Sequence, residues 1–565
     1  MLGFGGLWCA GGGAVDMLSG GVPSPAGCRE GQTVRLGELI SGLGVRLVSG
    51  DVGVRVCDLT EDSRTVVPGS LFVARAGLVD DGASYIAEAI EGGAAAVLIG
   101  AEAGGAHARG PWPIALCVAP EPQLAGALLA ERFYGQPSSK LGVVGVTGTN
   151  GKTTVTHLVR QLMRSGGVRC GLIGGVEVDD GVGVAPAVLT TPPAIELSRT
   201  LAIMVEAGCR AAAVEVSSHG LTQHRASGVR FRVGVFTNLS GDHQDYHGSM
   251  AAYAGAKAEL FERLEPGALA VVNADDEACA RMVRDCRARV LRCTASDAPE
   301  LPGVRTASVR VLSEGLEGLR VRLAGPWGVV TARTPLVGAH NAMNLLQACC
   351  AAHELGLHAE DLAVALPRLR PAAGRLERVC VPGATGEGGP LVFVDFAHTD
   401  DALRRTLASV RTGMASRSPS VGGPSRLWVV FGCGGDRDRS KRPRMGAAAA
   451  ELADEVVVTS DNPRTEQPGA IIDAVLSGMP ADARARAHVH ADRERAIEHA
   501  VRSAGACDVV VIAGKGHERT QILPDGRGGV THRPFDDRAV AREVLAARAK
   551  GVKSAAPDAA RARAT

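Results

Sequence analysis

The sequence predicts an α/β fold of three domains: a small α/β N-terminal domain, a central P-loop-type domain with a parallel sheet, and a C-terminal Rossmann-like domain. Its 565 residues exceed what one hydrophobic core usually supports, so three domains are a better expectation than one. Short apolar runs that end in polar or glycine residues alternate with helix-like runs along the chain. Strands that are apolar throughout are typical of parallel sheets buried on both faces.

The three domains are expected at residues 33–139, 140–370 and 371–550. The first contains β-like runs such as GSLFVARAG and helix-like runs such as YIAEAIEGGAAAVLI. The second begins with a strand, a glycine loop and a helix, and the third contains the apolar runs LVFVDFA, RLWVVFG, DEVVVTS and DVVVIAG. We expect a flexible N-terminal extension over residues 1–32 and a flexible tail over residues 551–565.

The composition argues against several kinds of partner and compartment. Lys plus Arg total 61 and Asp plus Glu total 60, which leaves no basic surplus for nucleic acid or an anionic membrane. The 14 cysteines form no C-x-x-C pair and indicate reduced, mostly buried residues. The apolar start is broken by glycines and has no basic residue before Arg29, which predicts neither a signal peptide nor a spanning helix. We expect a cytoplasmic monomer that binds small molecules.

The segment GVVGVTGTNGKTT predicts a phosphate loop and therefore a central ATPase domain. An apolar strand leads into glycines whose N–H groups can surround phosphate, and a lysine and two threonines open the next helix. The strict spacing is not met, because Val146 stands where the first glycine is expected. The predicted ATP ligands of this loop are Gly148, Thr149, Asn150, Gly151, Lys152, Thr153 and Thr154.

Two later strand ends carry groups that a metal ion would need. AVEVSSHG presents Glu215, and FTNLSGDHQDYHG presents Asp242 and His243. A capping aspartate and a hydrogen-bonded histidine are the structural alternatives, and a zinc site of His219, His224, His243 and His247 is another. Mg²⁺ with a triphosphate is favoured because it already explains oxygen ligands beside a phosphate loop. Lys257, among apolar helix neighbours, reads by itself as a surface lysine with a buried stem.

The segment TSDNPRTEQPG follows a buried strand of the third domain. Ligands of parallel α/β sheets bind beyond the carboxyl ends of the strands, and Arg464 lies in such a position. The alternative is an ordinary turn with a solvated arginine.

Taken together, these stretches resemble the Mur ligase family, ATP-dependent amide-forming enzymes of peptidoglycan synthesis. GVTGTNGKTT is similar to the family's phosphate loop, VEVSSHGLTQHR to its substrate segment, and TNLSGDHQDYHG to its metal segment. GAHNAMN and GRLE are similar to its adenine and phosphate contacts. DSRTVVPGSLFVARAG resembles the N-terminal uridine-binding region of members that add the third stem-peptide residue. The similarity covers residues 33–545.

The resemblance implies that UDP-N-acetylmuramoyl-L-alanyl-D-glutamate binds across the first two domains. The residues implied in binding it are Ser63, Thr190, Thr191, Ser217, Gln223 and Arg225. The implied catalytic residues are Lys152, Glu215, His243 and Lys257. The implied Mg²⁺ ligands are Thr153, Glu215, His243 and Lys257, with Lys257 as its N-carboxylated derivative. Further implied ATP contacts are Asn341, Arg375 and Asp395.

The resemblance also implies the amino acid substrate. DNPR matches the motif by which family members select meso-diaminopimelate, whose far end carries both an ammonium and a carboxylate. A guanidinium can hold that carboxylate in a bidentate pair, which lysine as a substrate could not supply. The implied contacts are Arg437, Asp461, Asn462, Pro463, Arg464, Gly514 and Glu518. The implied activity joins this amino acid to the UDP-linked dipeptide through an acyl phosphate.

Some positions depart from the family pattern. Phe396 and Asp400 stand where relatives often have tyrosine and proline, and Leu189 and Leu78-Val79 replace polar residues. Two rival interpretations remain at this stage. A folylpolyglutamate synthetase type would leave the uridine-like first domain and DNPR unexplained, and an ATP-dependent switch or scaffold would leave the metal and substrate segments without a role.

Overall fold

The computed structural model describes residues 33–75, 81–101, 113–241, 244–296, 305–381, 389–416 and 425–555. Three principal sheets lie in chain order along these residues. The predicted α/β architecture of three domains is therefore confirmed.

The N-terminal domain has a five-stranded sheet with parallel and antiparallel neighbours. Its strands are β1 (Val34–Arg35), β2 (Arg46–Ser49), β3 (Arg55–Val56), β4 (Asp58–Thr60), β5 (Ser70–Val73), β6 (Ala96–Gly100) and β7 (Ala115–Ala119). Its described α-helices span Leu36–Ile40, Ile86–Glu91 and Pro122–Phe133. The sheet order is β2-β7-β6-β5-β4, in which β4 to β7 run parallel and β2 is antiparallel. Strands β1 and β3 form a separate antiparallel pair.

The central domain is built on an eleven-stranded mixed sheet. Its strands are β8 (Gly142–Thr147), β9 (Cys170–Ile173), β10 (Glu177–Asp179), β11 (Val184–Pro186), β12 (Ala211–Glu215), β13 (Val233–Phe236), β14 (Leu269–Asn273), β15 (Arg289–Thr294), β16 (Arg305–Gly315), β17 (Gly318–Gly325) and β18 (Gly328–Thr334). Its α-helices span Lys152–Ser165, Ala194–Glu206, Ser218–Thr222, Gln244–His247, Met250–Glu262, Cys279–Met282, His340–Glu354 and Ala359–Ala365.

The central sheet is parallel in its middle and antiparallel at both edges. Its order is β11-β10-β9-β12-β8-β13-β14-β15-β16-β17-β18, with parallel pairing from β9 to β16. The hairpins β10–β11 and β17–β18 extend it with antiparallel pairs. The predicted parallel sheet is thus the central part of a larger mixed one.

Helices cover both faces of this sheet, which explains why its strands are apolar throughout. Along β8, Val144 and Val146 pack into the core on one face and Val143 into the core on the other. Each of these side chains is fully buried. A strand with two buried faces has no position for a polar side chain except at its ends. Polar side chains of the sheet therefore collect at the strand ends, where the phosphate loop begins.

The C-terminal domain has a six-stranded sheet and a short antiparallel ribbon. Its strands are β19 (Glu377–Arg378), β20 (Leu391–Asp395), β21 (Leu427–Phe431), β22 (Glu455–Thr459), β23 (His488–His490), β24 (Val509–Ala513), β25 (Thr520–Pro524) and β26 (Val530–Pro534). Its α-helices span Asp400–Ala415, Lys441–Leu452, Pro468–Leu476, Ala481–Arg486, Arg493–Ser503 and Asp537–Ala555. The last helix continues past residue 550, where the sequence predicts the domain to end.

The order of the third sheet brings its functional loops together. The order is β19-β20-β24-β21-β22-β23, and β20 to β24 all run parallel. The loops that follow β20, β21, β22 and β24 therefore leave the same edge of the sheet. Such an edge is where parallel α/β sheets bind ligands. Among the helices of the described ranges, none is long and apolar enough to cross a membrane.

Candidate active site

The phosphate loop joins β8 to the helix Lys152–Ser165, as predicted. Gly148 has φ 144°, and a Cβ there would lie 1.9 Å from Thr237 Oγ1, so only glycine fits. The segment after β13 holds the loop, because Thr237 Oγ1 donates to Asn150 O at 2.6 Å and Asn238 Oδ1 accepts from Asn150 N at 3.0 Å. Strand β13 lies beside β8, so the sheet itself supplies this support.

Two lysines meet at the carbonyl of Gly148. Lys152 Nζ donates to Gly148 O at 2.9 Å and to Thr149 O at 2.8 Å. Lys257 Nζ, on the helix Met250–Glu262, donates to Gly148 O at 2.9 Å and lies 4.2 Å from the centre of the Tyr253 ring. Lys257 is 1 % exposed, so the interpretation as a surface lysine is wrong and its amine lies at the phosphate loop.

Glu215 ends β12, which neighbours β8 on the side opposite to β13. Its side chain is 1 % exposed, and Oε1 accepts from Gly175 N at 2.9 Å. A buried carboxylate needs a cation or several donors. Thr153 Oγ1, in the first turn of the loop's helix, accepts from Arg375 at 3.2 Å. The charge of Glu215 acts in turn to raise the pKa of Arg375.

The remaining predicted metal ligand, His243, lies outside the described residues, as does Asp242. Of the zinc alternative, His219 and His247 have ring centres 5.5 Å apart, whereas His224 pairs with Ser227. Within the described parts of the chain, no group of three or more His, Cys, Asp or Glu residues is arranged to hold a metal ion.

Four of the predicted dipeptide-binding residues, Thr191, Ser217, Gln223 and Arg225, form a hydrogen-bonded group at the carboxyl end of β12. Thr191 Oγ1 donates to Glu215 O at 2.9 Å and accepts from Ser217 N at 3.0 Å. Arg225 donates to Thr191 O at 2.8 Å and to Gln223 Oε1 at 2.6 Å. Thr190 precedes this group and is half-buried.

Arg225 also links the central domain electrostatically to the first domain. Burial and then Arg75 lower the pKa of Arg225, while Glu61 acts in the opposite direction. Burial raises the pKa of Glu61 despite Arg75, whose guanidinium lies 3.1 Å away. Ser63, two residues beyond Glu61, hydrogen-bonds Glu88. A cationic group therefore lies where an anionic dipeptide is predicted to bind.

Arg375 connects the central and C-terminal domains. It contacts Thr153 through Nη2 and lies 4.5 Å from the centre of the Phe396 ring. Burial lowers its pKa, and Asp395 and Glu215 oppose that effect. Its buried Nε–H has no hydrogen-bond partner in the described structure. A buried unpaired donor beside the phosphate loop fits a bound anion.

The other predicted ATP contacts have structural partners. Asp395 Oδ2 accepts from Leu376 N at 2.7 Å, and Oδ1 accepts from Thr406 Oγ1 at 3.0 Å. Asp395 thus fixes the loop that carries Arg375. Asn341 donates from Nδ2 to Val337 O at 2.7 Å and accepts from Asn344. Contact of either side chain with ATP stays a prediction.

The departures from the family pattern have simple structural settings. Phe396 packs between Arg375 and His517, whose ring centre is 5.1 Å away. Asp400 opens the helix Asp400–Ala415. Proline is favoured at the first position of a helix, and an acidic side chain there is favoured by the helix dipole. Leu189 is 43 % exposed, and Leu78-Val79 lie outside the described residues.

Arg464 lies after β22 in the left-handed region, with φ 53°. Its N–H donates to Ile522 O at 3.1 Å and Nη1 donates to Gly435 O at 2.7 Å. Burial and then the neighbouring Arg437 lower its pKa, which Asp461 and Glu518 oppose. A guanidinium whose charge is disfavoured by a neighbouring guanidinium is suited to bind an anion. The Arg464 side chain is thus half-buried and hydrogen-bonded, and its role in binding the amino acid stays a prediction.

Anionic groups lie in the same site. Asp461 is 9 % exposed, and its buried Oδ2 has no hydrogen-bond partner in the described part of the chain. Asn462 Nδ2 donates to Glu518 Oε2 at 2.8 Å. Gly514 N donates to Asp395 O at 3.1 Å, which joins the ends of β24 and β20. The site combines cationic and anionic side chains and so suits a zwitterion.

The loop that carries Arg375 and the loop that follows β24 touch through their backbones. A Cβ on Gly374, which has φ 64°, would lie 2.2 Å from Gly516 C and His517 N. Gly374 immediately precedes Arg375, and Gly516 lies between Gly514 and Glu518. The contact is a direct approach of two main chains.

The sequence did not single out Lys515, Arg493 or Asp537. Lys515 is fully buried and bonds both Asn462 and Glu518. Arg493 and Asp537 form a fully buried ion pair at 2.7 Å, and Arg493 also donates to Ala513 O at 2.9 Å. Lys515 follows Gly514 directly and precedes Glu518 by three residues, which was a usable signal. Arg493 is 33 residues from Ser460, whose carbonyl it contacts, and no local pattern connects them.

Comparisons with known proteins match the chain to one family. The model of the Mur ligase middle domain matches residues 146–352, and that of the Mur ligase glutamate ligase domain matches residues 374–516. A UDP-N-acetylmuramoyl-L-alanyl-D-glutamate--2,6-diaminopimelate ligase of Synechococcus sp. (strain WH7803) is 44% identical over 91% of this chain and 99% of its own. The protein of that name from Pseudomonas aeruginosa is 42% identical over 87% of this chain and 95% of its own.

Solved structures give the same result at the level of shape. A structure of a UDP-N-acetylmuramoyl-L-alanyl-D-glutamate--2,6-diaminopimelate ligase has a TM-score of 0.63 and 31% identity, covering 92% of this chain and 99% of its own. Mycobacterium tuberculosis folylpolyglutamate synthase complexed with ADP has a TM-score of 0.54 and 21% identity, covering 70% of this chain and 93% of its own. The second likeness concerns the fold alone.

Proposed function

The chain belongs to the Mur ligase family, and from this premise we propose that it is an ATP-dependent ligase of peptidoglycan precursor synthesis. It joins meso-diaminopimelate to UDP-N-acetylmuramoyl-L-alanyl-D-glutamate. The observation that carries this function is the site after β22 and β24, where Arg464 and Arg437 lie together with Asp461 and Glu518. That combination suits an amino acid end with one carboxylate and one ammonium.

The first half-reaction activates a carboxylate. An oxygen of the D-glutamate γ-carboxylate attacks the γ-phosphorus of ATP, the bond to the bridging β,γ-oxygen breaks, and an acyl phosphate and ADP result. Lys152 is held at the loop by the Gly148 and Thr149 carbonyls, where its ammonium stabilises phosphoryl charge. Arg375 contributes a buried, unpaired N–H from the third domain.

The second half-reaction forms the amide. The neutral amine of diaminopimelate attacks the acyl carbon, and the tetrahedral intermediate then collapses with loss of phosphate. Closure of the third domain on the central one protects the acyl phosphate from water. The contact of Arg375 with Thr153 supports such a closed arrangement.

Oxygen groups near the phosphate loop fit Mg²⁺. Thr153 contributes a hydroxyl, Glu215 a buried carboxylate, and Lys257 an amine that carboxylation converts to an anionic ligand; His243 completes the proposed set. When bound, the ion neutralises charge on the transferred phosphoryl group. In this structure Arg375 donates a hydrogen bond to Thr153 Oγ1, and the charge of Glu215 acts to raise the pKa of Arg375.

Both charged groups at the distal centre of the amino acid are recognised. Arg464 and Arg437 bind the distal carboxylate, and Glu518 and Asp461 bind the distal ammonium. The buried, unpartnered Oδ2 of Asp461 supports this assignment, because a buried carboxylate oxygen needs a donor. We further propose a cytoplasmic monomer.

A phosphate-release assay tests the function. The protein is incubated with ATP, Mg²⁺ and the UDP-muramoyl dipeptide, and then with diaminopimelate, lysine or no amino acid. We expect release with diaminopimelate only. Release with lysine as efficient as with diaminopimelate would refute the amino acid assignment. Release with a folate substrate but not with the UDP-muramoyl dipeptide would favour the folylpolyglutamate synthetase type.

A further inference from the structure

Lys515 lies at the junction of the two segments that recognise the amino acid. It follows β24 and is fully buried. Its Nζ donates to Asn462 Oδ1 at 3.0 Å, to Glu518 Oε2 at 2.7 Å and to Thr520 O at 2.8 Å. One ammonium therefore joins the DNPR segment, the carboxylate of Glu518 and the ribbon that follows it.

These bonds show that Lys515 acts through its neighbours. An ammonium has three protons, and the three acceptors account for all of them, so none remains for a substrate. Asn462 Oδ1 also accepts from Ile522 N at 3.0 Å, which fills both lone pairs of that oxygen. Asn462 Nδ2 donates one N–H to Glu518 Oε2, and its second N–H can donate a hydrogen bond to a substrate carboxylate.

Lys515 leaves Glu518 competent to bind a cation. Both hydrogen bonds to this carboxylate fall on Oε2, and 35% of the Glu518 side chain is exposed. A carboxylate offers about four acceptor positions, so two remain for an ammonium. Lys515 thus fixes where Glu518 lies without using up its capacity to accept.

Lys515 also compensates the charge of Glu518. Its Nζ lies 2.7 Å from Glu518 Oε2, and the Lys515 side chain of this ion pair is fully buried. The buried pair of Arg493 and Asp537 has its own compensation. Removing the Lys515 ammonium would leave the charge of Glu518 without this partner, which disfavours the distal carboxylate and favours the purely cationic end of lysine.

We propose that Lys515 is a positioning residue that sets the selectivity for diaminopimelate over lysine, by fixing Asn462 and Glu518 and by balancing the charge of Glu518. This inference rests on the proposed function. It assigns to Lys515 a role in the choice of substrate, in addition to any role in holding the fold.

The experiment compares Lys515→Met, Lys515→Gln and Lys515→Arg in the full chain. Met removes the charge and all three hydrogen bonds, Gln keeps a neutral donor, and Arg keeps the charge. Arg502→Met is the matched control, because it removes a cation from the same domain at an exposed pair with Glu498. Phosphate release gives KM for diaminopimelate, ATP and the UDP-muramoyl dipeptide, and lysine is titrated as a competitor. Thermal unfolding of each variant is recorded alongside.

We expect the Met and Gln variants to raise KM for diaminopimelate at least about tenfold, which corresponds to about 1.4 kcal/mol. Their KM for the other two substrates should stay within about twofold, and the inhibition constant of lysine should stay level or fall. The Arg variant should recover part of the selectivity, and Arg502→Met should match the parent. A general loss of structure would weaken the binding of diaminopimelate and of lysine in parallel.

Three results would overturn the role of Lys515: an unchanged KM for diaminopimelate, parallel weakening of both amino acids, or parent selectivity in the Gln variant. If Lys515→Met does not fold, the Gln variant decides the matter, because it keeps a donor for Asn462. A parent protein that releases no phosphate with diaminopimelate contradicts the proposed function instead, so the two failures are distinguishable.

Discussion

Replacing Arg464 by alanine should selectively destroy the use of diaminopimelate. The guanidinium is half-buried, and Nη1 is held by Gly435 O at 2.7 Å, so the side chain is already oriented before a substrate arrives. A charged hydrogen bond contributes about 1.5–3 kcal/mol, and losing it should lower kcat/KM about 10- to 150-fold. Lysine lacks the distal carboxylate, so its inhibition constant as a competitor should change little.

The backbone of Arg464 allows a second, independent comparison. Its φ of 53° costs a non-glycine residue about 1–2 kcal/mol, and alanine bears the same cost as arginine. Arg464→Gly should therefore lose as much activity as Arg464→Ala but unfold at a higher temperature than Arg464→Ala. Arg464→Lys should be intermediate in activity, because it keeps the charge without the bidentate fork.

Phosphate release with each amino acid and thermal unfolding measure these effects. Two results would refute the reasoning: Arg464→Ala with the parent's kcat/KM for diaminopimelate, or an equal loss for lysine. The first would remove Arg464 from recognition, and the second would make its role purely structural.

Three further predictions concern the central domain. Gly148→Ala should abolish nucleotide binding measured by calorimetry, because its Cβ would lie 1.9 Å from Thr237 Oγ1. Gly167→Ala is the control, because a Cβ there meets nothing within 4 Å. Parent-like nucleotide affinity of Gly148→Ala would contradict this prediction. Glu215→Gln should slow phosphate release on the order of 100-fold and raise the Mg²⁺ requirement, while an unaltered Mg²⁺ titration would exclude Glu215 as a ligand. Burial lowers the pKa of His157 to about 3, so its proton uptake favours the unfolded state below the usual pKa of about 6.5. The free energy of unfolding should thus fall by about 2 kcal/mol from pH 7.5 to pH 5 because of this group. Denaturant titration at both pH values should show that this fall is absent in His157→Leu and present in the control His532→Gln, whose histidine is exposed.

The sequence predicted the fold class because apolar runs and glycine loops are local signals. The strand β8, the phosphate loop and the helix Lys152–Ser165 appear where GVVGVTGTNGKTT indicates them. The antiparallel hairpins at both edges of the central sheet were not foreseen. Strands such as β11 are exposed along their length, so their sequence shows no alternation of buried and exposed residues. Such a strand joins the sheet only because it pairs with the edge of a neighbouring strand.

For the site, the sequence identified residues at strand ends but not the contacts between distant segments. Arg464 and Glu518 were singled out because each lies in a recognisable segment. Lys257 was read by itself as a surface lysine, since its apolar helix neighbours gave no sign that its amine reaches Gly148. Arg493 was missed because its partners lie in three separate segments: the loop after β22, the end of β24 and the start of the last helix. Periodicity and motifs report neighbours along the chain, whereas such contacts arise only when the sheet order is known.

The backbone contact between Gly374 and Gly516 makes two loops share one spatial requirement. A methyl group at Gly374 would overlap the main chain at Gly516, and a methyl group at Gly516 would lie 2.8 Å from Gly374 O. Neither position can enlarge while the other loop keeps its place. Any substitution that remodels the loop of Arg375 must therefore be matched by a change in the loop that follows β24, so the two loops can change shape only together.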